Sequence, residues 1–416
     1  MMQRLFFFGL LLFSLCLGAQ NSARIMFYNL LDYPEAPPLN RDFILKEIID
    51  ELEPDVFMVA ELQNDSGANL ILDNALNDGD DIYASAPFVF NTSGNGGNLQ
   101  QLLYYNTTKF SLELTDIIQT SLRDINRYQL KAITSQVNTD PILIEFFVAH
   151  FKASQGSSNE QIRFNMALNF TNYINANLAS DANVIFAGDF NFYGANESGF
   201  QQLFIGNTII PMNDPLNQLG DWHTNSSFSG VHTQSTREST NNFDDFGAGG
   251  GLDDRFDFIF VSNNILNPNH EVSYVSNSYQ TVGNNSNCYN EDINDTSCTG
   301  VYGQNFRDLL WNMSDHLPVV MDLNFQQDFL SMRDLSEKII ITLPDGNIVE
   351  DQLKVNIPEL ILKNLTSLKV YNSTGQLVMI KEVSNSNEIL STVKLSNGLY
   401  YIKASNGQIL KFIKKS

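Results

Sequence analysis

Positive charge is what this sequence has least of. Its 416 residues hold 24 Lys and Arg against 47 Asp and Glu, a formal net charge of −23 at pH 7. The deficit is uneven: residues 20–330 carry 12 basic against 39 acidic side chains, and residues 331–416 carry 11 against 8. Non-specific affinity for nucleic acid comes largely from basic side chains that displace counterions, so the acidic part is excluded as a long-range binder of polyanions. Any phosphate ligand must be held locally, by metal and a few cations. Solubility in salty surroundings is an equally good reason for the acidity. The contrast between the segments argues for two domains with separate histories. Cysteine is nearly missing, with only Cys16, Cys288 and Cys298, which excludes a disulfide-framed scaffold.

Long apolar runs are missing too. Residues 5–17 are apolar apart from Ser14, but they are too few to span a bilayer, and no later stretch approaches the roughly 18 residues that a span needs. A basic start at residues 1–4, that run, and Leu17-Gly18-Ala19 read as a signal peptide over residues 1–19. The mature protein is expected to be soluble, exported, without stable membrane insertion, and monomeric. Cys16 leaves with the signal, and the bulky Leu15 before it argues against lipidation. In an oxidising compartment Cys288 and Cys298, close together in an Asn/Ser/Gly-rich loop, read as a disulfide that closes a surface loop.

What is present is a series of apolar strands that end on polar residues. Residues 184–192, V-I-F-A-G-D-F-N-F, give a buried strand, a glycine that ends it, then Asp189 and Asn191 on one face with Phe190 opposite. A carboxylate and an amide two residues apart suit phosphate chemistry, although Asp and Asn after Gly also make turns. Residues 24–31 form a strand with Asn29 near its end, residues 41–52 have the spacing of an amphipathic helix, and residues 56–60 form a strand with Glu61 at its exit. Strands follow at 102–110, 127–137 and 142–149, the last running out at His150. Residues 159–178 are helical, residues 225–252 loop-like, residues 255–261 a strand around Asp257, and Asp315-His316 precede a strand at 319–321. Taken singly, each polar residue has a plain structural explanation, such as a turn for Asn29 or Arg255 pairing for Asp257. Together, eight of them at strand ends of one α/β domain are hard to assign to chance.

In M-F-Y-N-L, V-A-E-L-Q, L-L-Y-Y-N-T-T-K-F, F-V-A-H-F-K, G-D-F-N, D-R-F-D-F-I-F and S-D-H-L-P-V, residues 24–325 resemble the endonuclease/exonuclease/phosphatase superfamily. It includes deoxyribonuclease I-like enzymes, abasic-site endonucleases, neutral sphingomyelinases and inositol-polyphosphate 5-phosphatases. The resemblance implies a four-layered α/β-sandwich, two facing β-sheets flanked by helices. It implies Asn29, Glu61 and Asp315 as ligands of Mg²⁺ or Mn²⁺, with Ca²⁺ an alternative. Asp189 would activate water, Asn191 contact the phosphoryl group, Asp257 orient His316, and His150 serve as donor or leaving-group acid. Two departures stand out. The family's deoxyribonuclease-like members carry a Glu ahead of the L-L-Y-Y-like strand to assist the first histidine, and residues 91–101 here contain no acid; Leu31 replaces the acid of abasic-site enzymes. Among Arg127, Lys152, Arg163, Arg237 and Arg255, Arg237 is singled out as a substrate contact because it lies in a polar loop near Asp257.

Residues 338–416 read as a small β-sandwich, with strands at 338–343, 353–355, 367–371, 376–380, 391–395, 399–404 and 408–413. L-K-V-Y-N, L-S-N-G-L-Y-Y-I and the terminal K-F-I-K-K resemble the type A sorting domain of the bacterial type IX secretion system, which implies that machinery as a partner and a secreted or cell-surface location. The domains expected are a signal peptide at 1–19, a catalytic domain at 20–326, a linker at 327–337 and a sorting domain at 338–416. The function expected is a metal-dependent phosphodiesterase, foremost an extracellular endonuclease on DNA or RNA by direct water attack. The alternatives are a sphingomyelin or phospholipid phosphodiesterase and a non-catalytic surface-binding protein on this fold.

Overall fold

The computed structural model describes residues 21–330 and 341–415, apart from 80, 95–96, 363–364 and 406. The expected signal peptide and residues 331–337 of the expected linker lie outside the described residues. The chain divides into one compact unit ending at Phe329 and a second beginning at Leu330. Residues 327–329, assigned to the linker from sequence, belong to the first unit. Thr134 Oγ1 donates to Gln327, and Phe329 packs on Phe110 and Phe325.

The first unit is built from two sheets. Strands β1 (Ser22–Tyr33), β2 (Val56–Leu62), β3 (Tyr83–Ser85) and β4 (Gln100–Asn106) begin one; β5 (Phe110–Ile118), β6 (Ile125–Ala132), β7 (Leu143–His150), β8 (Asn183–Asp189), β9 (Met212–Asn213) and β10 (Asp257–Ser262) form the other; β11 (Val272–Tyr274), β12 (Gln280–Thr281) and β13 (Val319–Phe325) complete the first. Their orders are β11-β13-β1-β2-β4-β3, with β12 on β13, and β5-β6-β7-β8-β10-β9. Strands β1 and β2 are parallel, as are β7 and β8. The helices are α1 (Arg41–Leu52), α2 (Asp65–Leu70) with a π-helical continuation over Ile71–Asn77, α3 (Ser157–Asn177), α4 (Ser198–Ile205), α5 (Asn263–Leu266) and α6 (Gln304–Met313). The fold class read from sequence, an α/β-sandwich with a C-terminal β-domain, is the one observed.

Alternation along the strands explains the layering. On the second sheet Phe146, Val148, Ile185, Ala187, Ile259 and Val261 join the core shared with the first sheet. Their sequence neighbours Phe147, Ala149, Phe186, Phe258 and Phe260 face the other way and join Met166 and Phe170 of α3 and Phe200 and Leu203 of α4. Two residues beyond each inward apolar position the side chain becomes polar: Val148 gives way to His150, Ala187 to Asp189, Phe27 to Asn29, and Ile259 is preceded by Asp257. The sandwich core thus turns into a polar cluster at one end.

Gly188 does not end its strand, as the sequence suggested, but lies within β8 opposite Ala149 of β7. A Cβ there would sit 2.3 Å from the Ala149 carbonyl oxygen, so only glycine lets the strands that carry His150 and Asp189 pair this closely.

The second unit has a five-stranded sheet and a two-stranded one. Its strands are β14 (Ile348–Val349), β15 (Gln352–Asn356), β16 (Ser367–Asn372), β17 (Leu377–Glu382), β18 (Asn387–Ser391), β19 (Gly398–Ala404) and β20 (Ile409–Lys414). The order is β14-β20-β19-β16-β17, with β15 and β18 apart, and the core joins Leu353, Val355 and Leu390 to Leu368, Val370, Ile402 and Phe412. The strand expected at 391–395 is displaced toward the N-terminus. Leu390 provides the buried position, whereas Thr392 hydrogen-bonds Glu350 and opens a turn. Of the strand expected at 338–343, residues 338–340 lie outside the described residues and Thr342 bridges Asn356.

The Ala149 contact yields a test: Gly188→Ala should destabilise the first unit by about 2–3 kcal/mol, because backbone rather than a flexible side chain opposes the methyl group. A urea midpoint equal to wild type would show that the strands can separate at no cost.

Candidate functional site

Asn29 occupies the centre of the polar cluster. Its amide nitrogen lies 3.0 Å from Glu61 Oε1, 3.0 Å from Asp189 Oδ2 and 3.4 Å from His316 Nε2, while its oxygen accepts the Leu31 N–H at 3.0 Å. That last bond fixes which end of the amide faces the acids. Asn29 therefore stands as a donor to two carboxylates, not with its oxygen turned toward a ligand position. Ser314 Oγ donates to the Asn29 carbonyl, and His316 N donates to Ser314 Oγ, tying β1 to the segment that carries Asp315 and His316.

Glu61 reaches this point by a break in alternation. Ala60 pairs with Asn29 and shares its side of the sheet, so regular extended backbone would send Glu61 to the opposite face. Instead Glu61 has φ 61°, where the β1–β2 and β2–β4 registers shift. Left-handed backbone at a non-glycine residue is strained, and here it turns the carboxylate onto Asn29 and the Asp32 N–H, at 3.0 Å each. Buried Arg41 supports the irregular end of β1 by donating to the carbonyls of Leu30, Leu31 and Met313.

On the second sheet Asn191, also left-handed at φ 52°, donates its side-chain N–H to Asp189 Oδ1 at 2.7 Å. His316 Nδ1 lies 2.7 Å from Asp257 Oδ2, and its Nε2 is 3.7 Å from Asp189 Oδ2. His150 Nε2 lies 3.5 Å from Asp189 Oδ2 and 3.8 Å from Glu61 Oε1. Its Nδ1 is buried without a hydrogen-bond partner among the described residues.

Electrostatics separates the two imidazoles. Burial, then Arg123 and His316, holds His150 well below the usual histidine range, so it stays neutral. Burial also opposes charge on His316, but Asp257, Asp189 and Asp315 outweigh it and raise that ring well above the ordinary value. Glu61 is pushed up by burial and then by Asp315; Asp189 is pushed up by burial, with Asp257 and Glu61 adding to the effect and His316 opposing it.

The structure brings Asn29, Glu61, His150, Asp189, Asn191, Asp257, Asp315 and His316 into one cluster. Arg237 is not part of it: its guanidinium is buried with its carbon 4.0 Å over the Phe243 ring, which removes it from solvent and from an incoming phosphate. Arg127, Arg163 and Arg255 pair with Glu145, Glu197 and Asp214, and Lys152 donates to the Ala153 carbonyl. Cys288 and Cys298 are joined by a disulfide. Two site residues went unread in the sequence. Gln234 places its amide nitrogen 2.7 Å from His316 Nε2 and 3.2 Å from Asp315 Oδ2; Arg123 donates to the carbonyls of His150 and Phe151. An amide N–H suits a neutral Nε2 and an amide oxygen a protonated one, so the orientation of Gln234 and the charge of His316 are linked.

The donor set fits a hard divalent cation. Four carboxylates converge in a buried place, and Asp315 Oδ1 and Asp257 Oδ1 are buried without partners. Among the described residues, carboxylate and imidazole atoms lie within 4.8 Å of one another in two groups, Glu61–His150–Asp189 and Asp189–Asp257–His316. Because His316 is committed to Asp257, the second group reads as an acid–imidazole pair.

Residues 26–316 match the Endonuclease/Exonuclease/phosphatase family. The chain belongs to that family. Residues 347–416 match the secretion system C-terminal sorting domain, which directs type IX secretion to the cell surface or extracellular space. The protein is thus a secreted enzyme of nuclease or phosphatase type, from a family dependent on divalent metal. No curated protein matches the chain. Among solved structures it is similar to the human nocturnin catalytic domain with bound sulfate, at 16% identity over 74% of this chain and 96% of that one, TM-score 0.45. It is also similar to D. rerio TDP2 complexed with a single-strand DNA product, at 16% over 73% and 100%, TM-score 0.47. A third is a Bacteroides thetaiotaomicron endonuclease/exonuclease/phosphatase family protein, at 14% over 73% and 95%, TM-score 0.44.

The carboxylate cluster predicts that Mg²⁺ or Mn²⁺ stabilises EDTA-treated protein by about 2.7 kcal/mol at a hundredfold excess over Kd, read as a rise in Tm. Glu61→Gln should abolish that increment while leaving the metal-free Tm equal or higher, since it removes one of several repelling acids. An undiminished increment in the variant would exclude Glu61 as a ligand.

Proposed function

We propose that the protein is a divalent-metal-dependent phosphodiesterase, an extracellular endonuclease that cleaves DNA or RNA by direct attack of water. The observation that carries this reading is one carboxylate, Asp189, set 3.5 Å from one imidazole and 3.7 Å from another, with Asp257 behind the second. None of the eight clustered side chains is a Ser, Cys or Thr, and the nearby Ser314 hydroxyl is committed to the Asn29 carbonyl and the His316 N–H, which favours water as the nucleophile. Bound at Glu61 and Asp315, Mg²⁺ or Mn²⁺ would supply Lewis-acid neutralisation of the phosphate.

The chain's own groups do the rest. Asp189 orients the attacking water and takes its proton. The Asn191 amide, with one N–H on Asp189 Oδ1, has a second free for a phosphoryl oxygen. Asp257 holds Nδ1 of His316, so that Nε2–H meets the oxygen on which negative charge grows. His150, kept neutral, donates one N–H to a non-bridging oxygen rather than a proton to the leaving group. Asn29 fixes Glu61 and Asp189 relative to each other across the two sheets.

The test is incubation of the mature protein with plasmid DNA, RNA, sphingomyelin and a phosphoinositide in Mg²⁺, Mn²⁺ or Ca²⁺, with EDTA controls. Nucleic-acid cleavage lost in EDTA is expected; phosphocholine release without nicking would move the assignment to lipid. Asp189→Ala and His316→Ala should each lower kcat at least about 100-fold with the circular dichroism spectrum retained, and a wild-type rate in either would refute the roles given. The acidity of residues 20–330 adds a second signature. Between about 20 and 150 mM salt, kcat/KM on polynucleotide should rise as repulsion is screened, the reverse of a basic nuclease.

A further inference from the structure

Three adjacent strands of the second sheet leave the polar cluster and meet again a few residues farther out. Five residues beyond His150 of β7 stands Gln155, four beyond Asp189 of β8 stands Tyr193, and three before Asp257 of β10 stands Asp254. All three touch His223, which lies in the connection from β9 to β10. Its Nδ1 is 2.6 Å from Asp254 Oδ1, its Nε2 is 2.6 Å from the Gln155 amide nitrogen, and its ring meets Tyr193 edge-on with centroids 4.9 Å apart.

This wiring duplicates that of His316, where Asp257 lies 2.7 Å from Nδ1 and the Gln234 amide 2.7 Å from Nε2. Gln234 also joins the two pairs, because its backbone bridges Asp254 and His316. Two strand spacings of about 4.8 Å put the backbones of Asp254 and His316 roughly 10 Å apart, a span that neighbouring phosphates of one strand can cover. The two imidazoles differ in access: the His316 side chain is 3% exposed and that of His223 32%. His232, in the same connection, shows a purely structural use, fully buried with Nε2 on the Trp222 carbonyl. His223 instead turns Nε2 toward an exposed glutamine, whose bonds water can take over when a ligand arrives. With Asp254 accepting from Nδ1–H, a proton on Nε2 makes the ring a cation, and a phosphodiester oxygen is then a stronger acceptor than the neutral amide of Gln155.

We propose that His223, held by Asp254, binds a second phosphate of the substrate, the one adjoining the phosphate under attack. The inference rests on the phosphodiesterase reading and narrows it. The preferred substrate is a polynucleotide strand, which carries further phosphates beside the scissile one, rather than an ester with a single phosphorus such as sphingomyelin. Asp254 and Tyr193 fix the ring, and Nε2–H is donated to a non-bridging oxygen. No bond breaks at this second phosphate.

The test uses the mature protein in Mg²⁺ or Mn²⁺ with a DNA or RNA decamer, the same decamer carrying one uncharged methylphosphonate linkage, and bis(p-nitrophenyl) phosphate. The uncharged linkage should lower cleavage at the phosphate next to it at least about tenfold, the effect of one charge-assisted hydrogen bond. His223→Ala should cost the unmodified decamer a similar factor in kcat/KM, through KM, and bis(p-nitrophenyl) phosphate much less; introducing the methylphosphonate should then cost the variant nothing more. Should the variant fail to fold, the substituted decamer still tests the wild-type protein. Cleavage as fast beside a methylphosphonate as beside a phosphate, or equal losses by the variant on decamer and on bis(p-nitrophenyl) phosphate, would overturn the subsite and leave the phosphodiesterase standing. If neither DNA nor RNA decamer is cut while sphingomyelin is, the endonuclease reading fails and the subsite with it.

Discussion

The site depends on one amide that bridges two sheets. Asn29 belongs to β1 of the first sheet and holds Glu61 of β2, while the same nitrogen holds Asp189 of β8 in the second, both at 3.0 Å. Everything else in the cluster is positioned relative to one of those two acids. The bridge is possible because the inward side chains of both sheets change from apolar to polar at the same end, where the sandwich core stops. It is sharpened by the close backbone approach of Gly188 to Ala149 and by the hydrogen bond from Ser314 Oγ to the Asn29 carbonyl. A packed apolar core does not slide, so the polar end inherits its rigidity from the phenylalanine-rich layer below it.

That arrangement concentrates acids that dislike one another. Glu61, Asp189, Asp257 and Asp315 are all buried or nearly so, and the protein answers with hydrogen bonds from Asn29, Asn191, Gln234 and backbone N–H groups rather than with arginine. Neutral donors orient carboxylates without cancelling their charge, so the site keeps its demand for a cation. An arginine placed among the acids would relax the cluster and spoil it as a metal site. His316 meets part of the demand, and it does so because Asp257 stands behind it.

Much of this was legible from sequence because it follows a period of two. Asn29, His150, Asp189 and Asp257 each continue an alternation that can be counted from the apolar residues beside them. Glu61 was found by its place at a strand exit, but its aim was not legible, since left-handed backbone at a glutamate leaves no mark in the letters. Gln234 and Arg123 were missed because loops deliver them, and a polar residue in a polar loop carries no periodic signal. Arg237 was misjudged for the same reason: a lone cation in a Ser/Thr/Asn-rich stretch reads as exposed, yet Phe243 of the same loop and Trp311, distant in sequence, close over it. The helix α6 was hidden by its setting, a short amphipathic segment between a disulfide loop and the motif around Asp315.

The shortage of positive charge noted at the outset takes on a structural meaning when each cation is traced. In the first unit Arg24, Lys46, Lys109, Arg127, Lys131, Arg163 and Arg255 are paired with acids, Arg41, Arg123, Lys152 and Arg307 bind carbonyl oxygens, and Arg237 is walled off. Basic residues are thus spent on holding loops and strand ends in place, not on drawing a polyanion from afar. A chain so built gains nothing from electrostatic steering of a polyanion, and on the function proposed its discrimination among phosphate esters would come from short-range contacts around Asp189 and His316.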